Sequence, residues 1–145
     1  MVQYLTIRNG RREDENWLFQ LFRATMQDYI DEAWGWDELL QREGFIISLP
    51  AKNFQILEFA GDCVGSYHLS DRANHFLLDM ILVTPDQQRK GFGSKMMAQI
   101  KRLAEEENKA VWLSVLKTNP AIAFHLAEGF RQVEEDEHSI MMMWP

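Results

Sequence analysis

The sequence predicts a mixed α/β fold in which helices pack around a central β-sheet. Segments whose apolar residues alternate with polar ones, as in strands, are interspersed with segments whose apolar residues recur every three to four positions, as in helices. The predicted order of elements is βααβββαβαββ. The chain has 145 residues and no internal repeat or low-complexity linker, so residues 1–145 are expected to form a single domain.

The first part of the chain is predicted to form one strand and two helices. Apolar and polar residues alternate over Val2–Arg8, which favours a strand. From Arg11 the apolar residues recur at helical spacing, and acidic residues occupy the first turn, where the helix dipole favours negative charge. Gly35 interrupts this helix, and a second, short helix is predicted over Asp37–Phe45.

Three strands are predicted next. Asn53–Ala60 and Cys63–Leu69 flank Gly61-Asp62, a pair that fits a type II′ hairpin turn. After a further turn, His75–Thr84 is apolar almost throughout, which predicts a strand buried on both faces.

The second half of the chain alternates helices with strands. An amphipathic helix follows Gly93, and the remaining elements are predicted as strand Ala110–Leu116, helix Ala121–Ala127, strand Phe130–Val133 and strand Ser139–Trp144. The run Met141–Trp144 is apolar on both faces. It is interpreted either as a covered strand or as an exposed edge through which two copies form a homodimer.

Composition narrows the classes of partner. The formal net charge of −7 disfavours binding to nucleic acid or to an anionic membrane surface. No apolar run approaches the roughly 18–20 residues of a membrane span, and the N-terminal segment does not have the pattern of a secretory signal. The single Cys63 and the histidines share no metal-ligand spacing. We therefore expect a cytoplasmic protein with no metal.

The segment Gln88–Ser94 carries the strongest functional signal. It lies between the apolar strand and the amphipathic helix and reads Gln-Arg-Lys-Gly-Phe-Gly-Ser. Its glycines permit close approach of a ligand, and the free N–H groups at the start of the helix favour an anion. The segment lacks the Gly-Lys-Ser/Thr of a P-loop and the third glycine of a dinucleotide fingerprint. The remaining interpretations are a coenzyme A loop and an ordinary glycine-rich turn.

Two motifs resemble the GNAT superfamily of N-acetyltransferases. Gln88, Gly91 and Gly93 match the family's coenzyme A loop, Gln/Arg-x-x-Gly-x-Gly/Ala. Asn119–Phe130 is similar to its Asn-Pro-Ala-x-x-Phe/Leu-Tyr-x-x-x-Gly-Phe segment, and the element order matches over nearly the whole chain. The resemblance implies a mostly antiparallel, splayed mixed sheet flanked by helices. It also implies transfer of an acetyl group from acetyl-CoA to a primary amine of a small molecule or peptide.

The resemblance also implies which residues bind the coenzyme. The strand residues that offer main-chain groups to the pantetheine arm are Ile81, Leu82 and Val83. The loop residues expected to hold the pyrophosphate are Gln88, Arg89, Lys90, Gly91, Phe92, Gly93 and Ser94. Asn119 is expected to contact the coenzyme near the arm.

Two residues are candidates for proton transfer. The family usually has a tyrosine that protonates the leaving thiolate at the position held here by His125. A charged imidazole could protonate the thiolate, a neutral one could accept the proton of the amine, and a purely packing role is the alternative. Asp79 shares strand parity with Ile81 and Val83. It is expected either to face the cleft as a general base or to be a hydrogen-bonded structural carboxylate.

The link between the first two helices is the candidate acceptor region. Tyr29, Asp31, Trp34 and Trp36 combine aromatic rings with negative charge, which suits a cationic amine. The alternative is that these aromatic residues belong to the core. A non-catalytic acyl-CoA sensor with the same fold, and an α/β domain that binds no coenzyme, are the alternatives to an enzyme.

Overall fold

The computed structural model describes residues 4–145 and contains the elements in the predicted order. Short 3-10 turns precede the first helix, the second strand and the third helix. The strands are β1 (Leu5–Asn9), β2 (Phe54–Phe59), β3 (Asp62–Asp71), β4 (His75–Val83), β5 (Ala110–Leu116), β6 (Arg131–Glu135) and β7 (Ser139–Trp144). The helices are α1 (Glu15–Trp34), α2 (Glu38–Ser48), α3 (Phe92–Glu106) and α4 (Ala121–Ala127).

The strands form one mixed sheet in the order β1-β2-β3-β4-β5-β7-β6. Neighbours are antiparallel except β4 and β5, which are parallel. These two strands pair only through His75–Leu77 and Ala110–Trp112. Beyond these residues they separate, so a cleft opens between the second halves of β4 and β5, which confirms the splayed sheet.

Several predicted boundaries were wrong by a few residues. β1 runs from Leu5 to Asn9 rather than over Val2–Arg8, and the start of that prediction lies outside the described residues. The predicted second helix ended at Phe45, whereas α2 continues to Ser48. It begins where the Asp37 carboxylate accepts a hydrogen bond from the Leu40 amide. It ends just before Pro50, because a residue that precedes proline is disfavoured in helical conformation.

The turn between β2 and β3 differs from the predicted type II′ turn at Gly61-Asp62. Phe59 pairs with Asp62, so Ala60 and Gly61 are the central residues. Their φ angles are 53° and 89°. Positive φ at both central positions is the pattern of a type I′ turn, whose twist matches that of the flanking strands.

A hydrophobic core covers each face of the sheet. Side chains of α3, among them the fully buried Met96 and Ile100, pack on one face. Side chains of α1 and α2, among them Phe19 and Phe45, pack on the other. The half-buried apolar residues of β4 contact both clusters, in agreement with the predicted burial of this strand.

The strand β7 is not an edge of the sheet. It pairs with β5 on one side and with β6 on the other, and Met142 at its centre is buried. The interpretation of Met141–Trp144 as an exposed dimerisation edge is therefore wrong, because both rows of its backbone groups are paired within the chain. The edges of the sheet are β1 and β6.

Candidate active site

A cavity of about 510 Å³ lies at the end of β4, between the start of α3, the start of α4 and the side of α1. We call it the loop cavity. Every predicted coenzyme-binding residue except Lys90 lines it. Its walls are formed by Thr25, Met26, Tyr29, Ile81, Leu82, Val83, Gln87, Gln88, Arg89, Gly91, Phe92, Gly93, Ser94, Asn119, Pro120, Ala121, Phe124 and His125.

The backbone of the loop that precedes α3 adopts a conformation that few residues accept. Arg89 has φ of 65°, and Gly91, which caps α3, has φ of 88°. A Cβ atom on Gly91 would meet no other atom within 4 Å, so its backbone is open to a ligand. At Gly93 a Cβ atom would lie 3.2 Å from Cζ of Phe124. The two glycines therefore have different roles: one permits the turn, and the other permits close packing of α3 against α4.

Side chains of the loop brace its backbone. The Gln88 amide donates a hydrogen bond to the Val83 carbonyl at 3.1 Å, which ties the loop to the end of β4. The Ser94 hydroxyl donates to the Glu128 carboxylate at 2.8 Å, and Lys101 donates to the same carboxylate at 3.0 Å. The first amides of α3 have no partner within their own helix, so they and Arg89 form a positive edge of the loop cavity.

A second cavity of about 180 Å³ occupies the cleft between β4 and β5, and we call it the cleft cavity. Six residues line both cavities and mark the junction between them: Met26, Ile81, Leu82, Asn119, Ala121 and His125. The cleft cavity is lined by Phe22, Met26, Ile30, Trp34, Leu78, Asp79, Met80, Ile81, Leu82, Leu113, Ser114, Val115, Leu116, Asn119, Ala121 and His125. The side chain of Asn119 also accepts a hydrogen bond from the Ala121 amide at 2.9 Å, which stabilises the start of α4.

His125 is a buried histidine at the junction of the two cavities. Its ring packs edge-to-face against Phe124 and Phe130, with centroids 5.4 and 5.8 Å away, and it is 5% exposed. Its Nδ1 atom has no hydrogen-bond partner among residues 4–145. Burial lowers the pKa of His125 to about 4, against a weaker opposing effect of Glu128. The imidazole is therefore neutral at neutral pH, which excludes the charged imidazole as the resting state.

Asp79 is the extra residue of a β-bulge. His68 pairs with Met80 and the next residue, Leu69, pairs with Leu78, so nothing lies opposite Asp79. Leu78 packs in the α3 core and Met80 in the α1–α2 core, because the bulge interrupts the alternation of side chains. The prediction that Asp79 shares strand parity with Ile81 and Val83 is therefore wrong.

The Asp79 carboxylate is held by two residues of β3. Its Oδ2 atom lies 2.8 Å from Nδ1 of His68 and accepts a hydrogen bond from the Ser70 hydroxyl at 2.6 Å. Burial raises the pKa of Asp79, but the contacts with His68 and Ser70 outweigh this effect, and the pKa lies below its ordinary value. The carboxylate is ionised at neutral pH. Asp79 combines both expected features: it is hydrogen-bonded within the sheet and it lines the cleft cavity.

The four predicted acceptor residues do not form one cluster. Trp34 lines the cleft cavity and is 60% exposed at its mouth, beside His138 at a centroid distance of 5.5 Å. Tyr29 lines the loop cavity instead. Asp31 accepts a hydrogen bond from the Trp36 amide at 3.0 Å, and these two residues stabilise the connection between α1 and α2.

Several residues that lie at the site were not predicted from the sequence. Met26 and Phe124 line the loop cavity, and His68 and Ser70 hold Asp79. A regular hairpin around the predicted turn at residues 71–74 places His68 opposite Leu77, so the sequence carried no signal for its contact with Asp79.

Within the described residues, no group of three or more His, Cys, Asp or Glu side chains could hold a metal ion. No helix of residues 4–145 is long and apolar enough to cross a membrane.

The model of the acetyltransferase (GNAT) family matches residues 15–130. This chain belongs to the GNAT family. It is accordingly an acyltransferase by family, as the two motifs indicated. No curated protein matches the sequence at a significant level.

Solved structures share the GNAT fold with this chain. The PaiA N-acetyltransferase of Thermoplasma acidophilum, solved in complex with coenzyme A, superposes with a TM-score of 0.80 at 15% identity, over 97% of this chain and 98% of that one. The ribosomal-protein-S18-alanine N-acetyltransferase of Escherichia coli superposes with a TM-score of 0.75 at 20% identity, over 98% and 94% of the two chains. Ard1 of Thermoplasma volcanium gives 0.72 at 19% identity, over 97% and 96%. These similarities confirm the predicted fold.

Proposed function

We propose that this protein is an N-acetyltransferase that transfers the acetyl group of acetyl-CoA to a primary amine. The observation that carries the proposal is the pair of cavities that meet at Asn119 and His125. One cavity, of about 510 Å³, has a positive edge that suits the pyrophosphate of a nucleotide thioester. The other is a smaller, mostly apolar cleft that reaches the same junction from the opposite side. Two substrates can therefore meet without leaving their own sites.

The residues of the loop cavity fit coenzyme A. The first amides of α3 and Arg89 supply hydrogen-bond donors and positive charge for the pyrophosphate. The open backbone at Gly91 allows the phosphates to approach closely. The segment Ile81–Val83 pairs with β3 but not with β5, so its edge toward the cleft offers main-chain groups to the amide-containing arm. The predicted Lys90 contributes charge from outside the cavity wall.

The reaction needs positioning and one proton transfer. Acetyl-CoA supplies a thioester; the amine nitrogen forms a bond to its carbonyl carbon, the carbon–sulfur bond breaks, and the sulfur leaves as a thiolate. Holding both reactants at the junction supplies much of the rate, because orientation removes entropy from the barrier. His125 is neutral and lines both cavities, so its imidazole receives the proton that the amine nitrogen loses. The thiolate then takes a proton from solvent.

The first experiment measures donor binding and acetyl transfer separately. Acetyl-CoA is expected to raise the melting temperature of the protein, because a ligand that binds only the folded state stabilises it. Thiol release is then followed over a panel of primary amines. Arg89→Ala is expected to weaken acetyl-CoA binding, while the control Arg131→Ala, an exposed residue of the edge strand β6, is not. No stabilisation by acetyl-CoA would contradict the proposal.

The second experiment tests His125. His125→Phe keeps an aromatic ring among Phe124 and Phe130 but removes both ring nitrogens. The variant is expected to bind acetyl-CoA and to lose turnover by about 10²–10⁴-fold, the usual contribution of a positioned proton acceptor. Unchanged turnover would remove the catalytic role and leave a packing role.

A non-catalytic acyl-CoA sensor is the second candidate. The observation that favours it is His125 itself, which stands where the family usually has tyrosine. A sensor would be stabilised by acetyl-CoA but would release no thiol with any amine of the panel.

A further inference from the structure

The cleft cavity contains one charged side chain among the described residues that line it. That residue is Asp79, and the neighbouring wall residues include the apolar Leu78, Met80 and Leu113. The His125 imidazole at the opposite end is neutral. A ligand in this cavity therefore meets an apolar surface with a single negative charge. This arrangement favours a molecule that carries a positive charge on an apolar body.

The two carboxylate oxygens of Asp79 have different surroundings. Oδ2 takes both contacts with β3, at 2.8 Å from His68 and 2.6 Å from Ser70. Oδ1 has no hydrogen-bond partner among residues 4–145. The side chain of Asp79 retains 19% of its exposure, whereas that of His68 retains only 6%. One oxygen thus anchors the carboxylate to the sheet, and the other is left for a ligand.

His68 sets the orientation of this carboxylate. The ring packs against Phe54 with centroids 5.0 Å apart, and its Nε2 atom is buried with no hydrogen-bond partner in the described part of the chain. Because the ring is held by this packing, its Nδ1 atom fixes Oδ2 of Asp79 at 2.8 Å and leaves Oδ1 without a partner from β3.

The properties of Asp79 suit a cation-binding group better than a proton acceptor. Its contacts with His68 and Ser70 stabilise the ionised carboxylate, so Asp79 has little tendency to accept a proton. Asp79 lines only the cleft cavity, whereas Ile81, two residues further along β4, lines both cavities. The reacting atoms are expected at the junction of the two cavities, so Asp79 is displaced from them along the cleft.

We propose that Asp79 binds a second, non-reacting cationic group of the acceptor, and that His68 and Ser70 are the positioning residues that hold its carboxylate. This inference rests on the proposed function. The acceptor class is a diamine, or another primary amine whose further cationic group is separated from the reacting nitrogen by an apolar chain. The apolar walls of the cleft cavity contact the chain, and the free carboxylate oxygen pairs with the distal cation.

The test compares 1,6-diaminohexane with hexylamine and 6-amino-1-hexanol, which keep the reacting nitrogen and lack the distal cation. The wild type is expected to prefer the diamine in kcat/KM. Asp79→Asn is expected to reduce that preference by about 10- to 100-fold, mainly through KM, because it removes the charge of a charge-assisted hydrogen bond. The matched control is Asp71→Asn, a carboxylate of β3 that is 61% exposed and pairs with Lys109. It should retain the preference.

The opposite pattern would overturn the proposal. If Asp79→Asn lowered kcat equally for the diamine and both monofunctional amines, Asp79 would be a proton acceptor and not a cation site. A wild-type protein that did not prefer the diamine would also overturn the proposal.

The positioning residues have their own test. His68→Phe is expected to reduce the diamine preference, and His68→Gln, which keeps a donor, to restore part of it. Ser70→Ala, a smaller change, should also reduce the diamine preference. Acetyl-CoA binding by each variant, measured by calorimetry, establishes that it is folded. A folded His68→Phe protein with the full diamine preference would refute the role of His68.

A calorimetric measurement separates this inference from the proposed function. Binding of 1,6-diaminohexane to the protein loaded with coenzyme A requires no chemistry. If the wild-type protein transfers no acetyl group, the proposed function is refuted. Diamine binding that is about 10- to 100-fold weaker in Asp79→Asn would still support the cation site. Equal binding by the two proteins would overturn it.

Discussion

Replacing His125 by phenylalanine is expected to remove a large pH dependence of stability. Burial lowers the pKa of His125 to about 4 in the folded protein, whereas the ordinary value is 6.5. Between these values the unfolded chain binds a proton that the folded chain does not, so stability falls as the pH falls from 6.5 to 4. The difference of about 2.5 pH units corresponds to about 3 kcal/mol. The group is 5% exposed, so solvent screening reduces this value little.

The assay is urea unfolding of the wild type and His125→Phe at pH 7.0, 5.5 and 4.0. Protonation of carboxylates destabilises both proteins as the pH falls. The measured quantity is therefore the difference between the pH dependences of their free energies of unfolding. The wild type should lose about 3 kcal/mol more than the variant between pH 7 and pH 4. The control is His138→Gln, which removes a histidine whose side chain is 37% exposed and so tests for a general effect of losing one. Parallel curves for the wild type and His125→Phe would refute the buried, neutral histidine.

Four further predictions concern two glycines, the core and a buried phenol. Gly91→Ala is expected to lower the free energy of unfolding by about 1–2 kcal/mol in urea denaturation, because φ there is 88°. Gly44→Ala, within α2 and with open space for the added Cβ atom, should instead raise it by about 0.5–1 kcal/mol. Ile100→Ala should cost about 2–5 kcal/mol in the same measurement, since this side chain is fully buried. Burial raises the pKa of Tyr67 to about 12, so an absorbance titration should show a phenol that ionises near pH 12 and is absent from Tyr67→Phe. Because the folded state holds the Tyr67 proton more tightly than the unfolded state, stability should fall as the pH rises from 10 to 12; a step near pH 12 that persists in Tyr67→Phe would contradict the assignment.

The conformation of the loop that precedes α3 was predictable because it depends on local backbone geometry. A glycine at position 91 is needed for the positive φ, and the amides at the start of α3 are exposed by the strand–loop–helix order alone. The additional reason for Gly93, its contact with Phe124, depends on how α3 packs against α4 and could not be predicted locally.

The acceptor side was predicted less well because it depends on contacts between distant segments. Trp36 and Asp31 lie within three residues of Trp34 in the sequence. They nevertheless stabilise the turn between two helices instead of lining a cavity. The contact between His68 and Asp79 depends on the pairing register of β3 and β4, which the bulge at Asp79 shifts by one residue.

The sequence by itself determined the family, the order of elements and the position of the glycine-containing loop before α3. Each of these depends on residues that are close together along the chain. Only the tertiary structure decided that β7 is covered, that His125 is buried and neutral, and that Asp79 is held by β3 with one oxygen free. Burial and hydrogen bonding set the charge of these side chains, and both depend on which segments the sheet brings together.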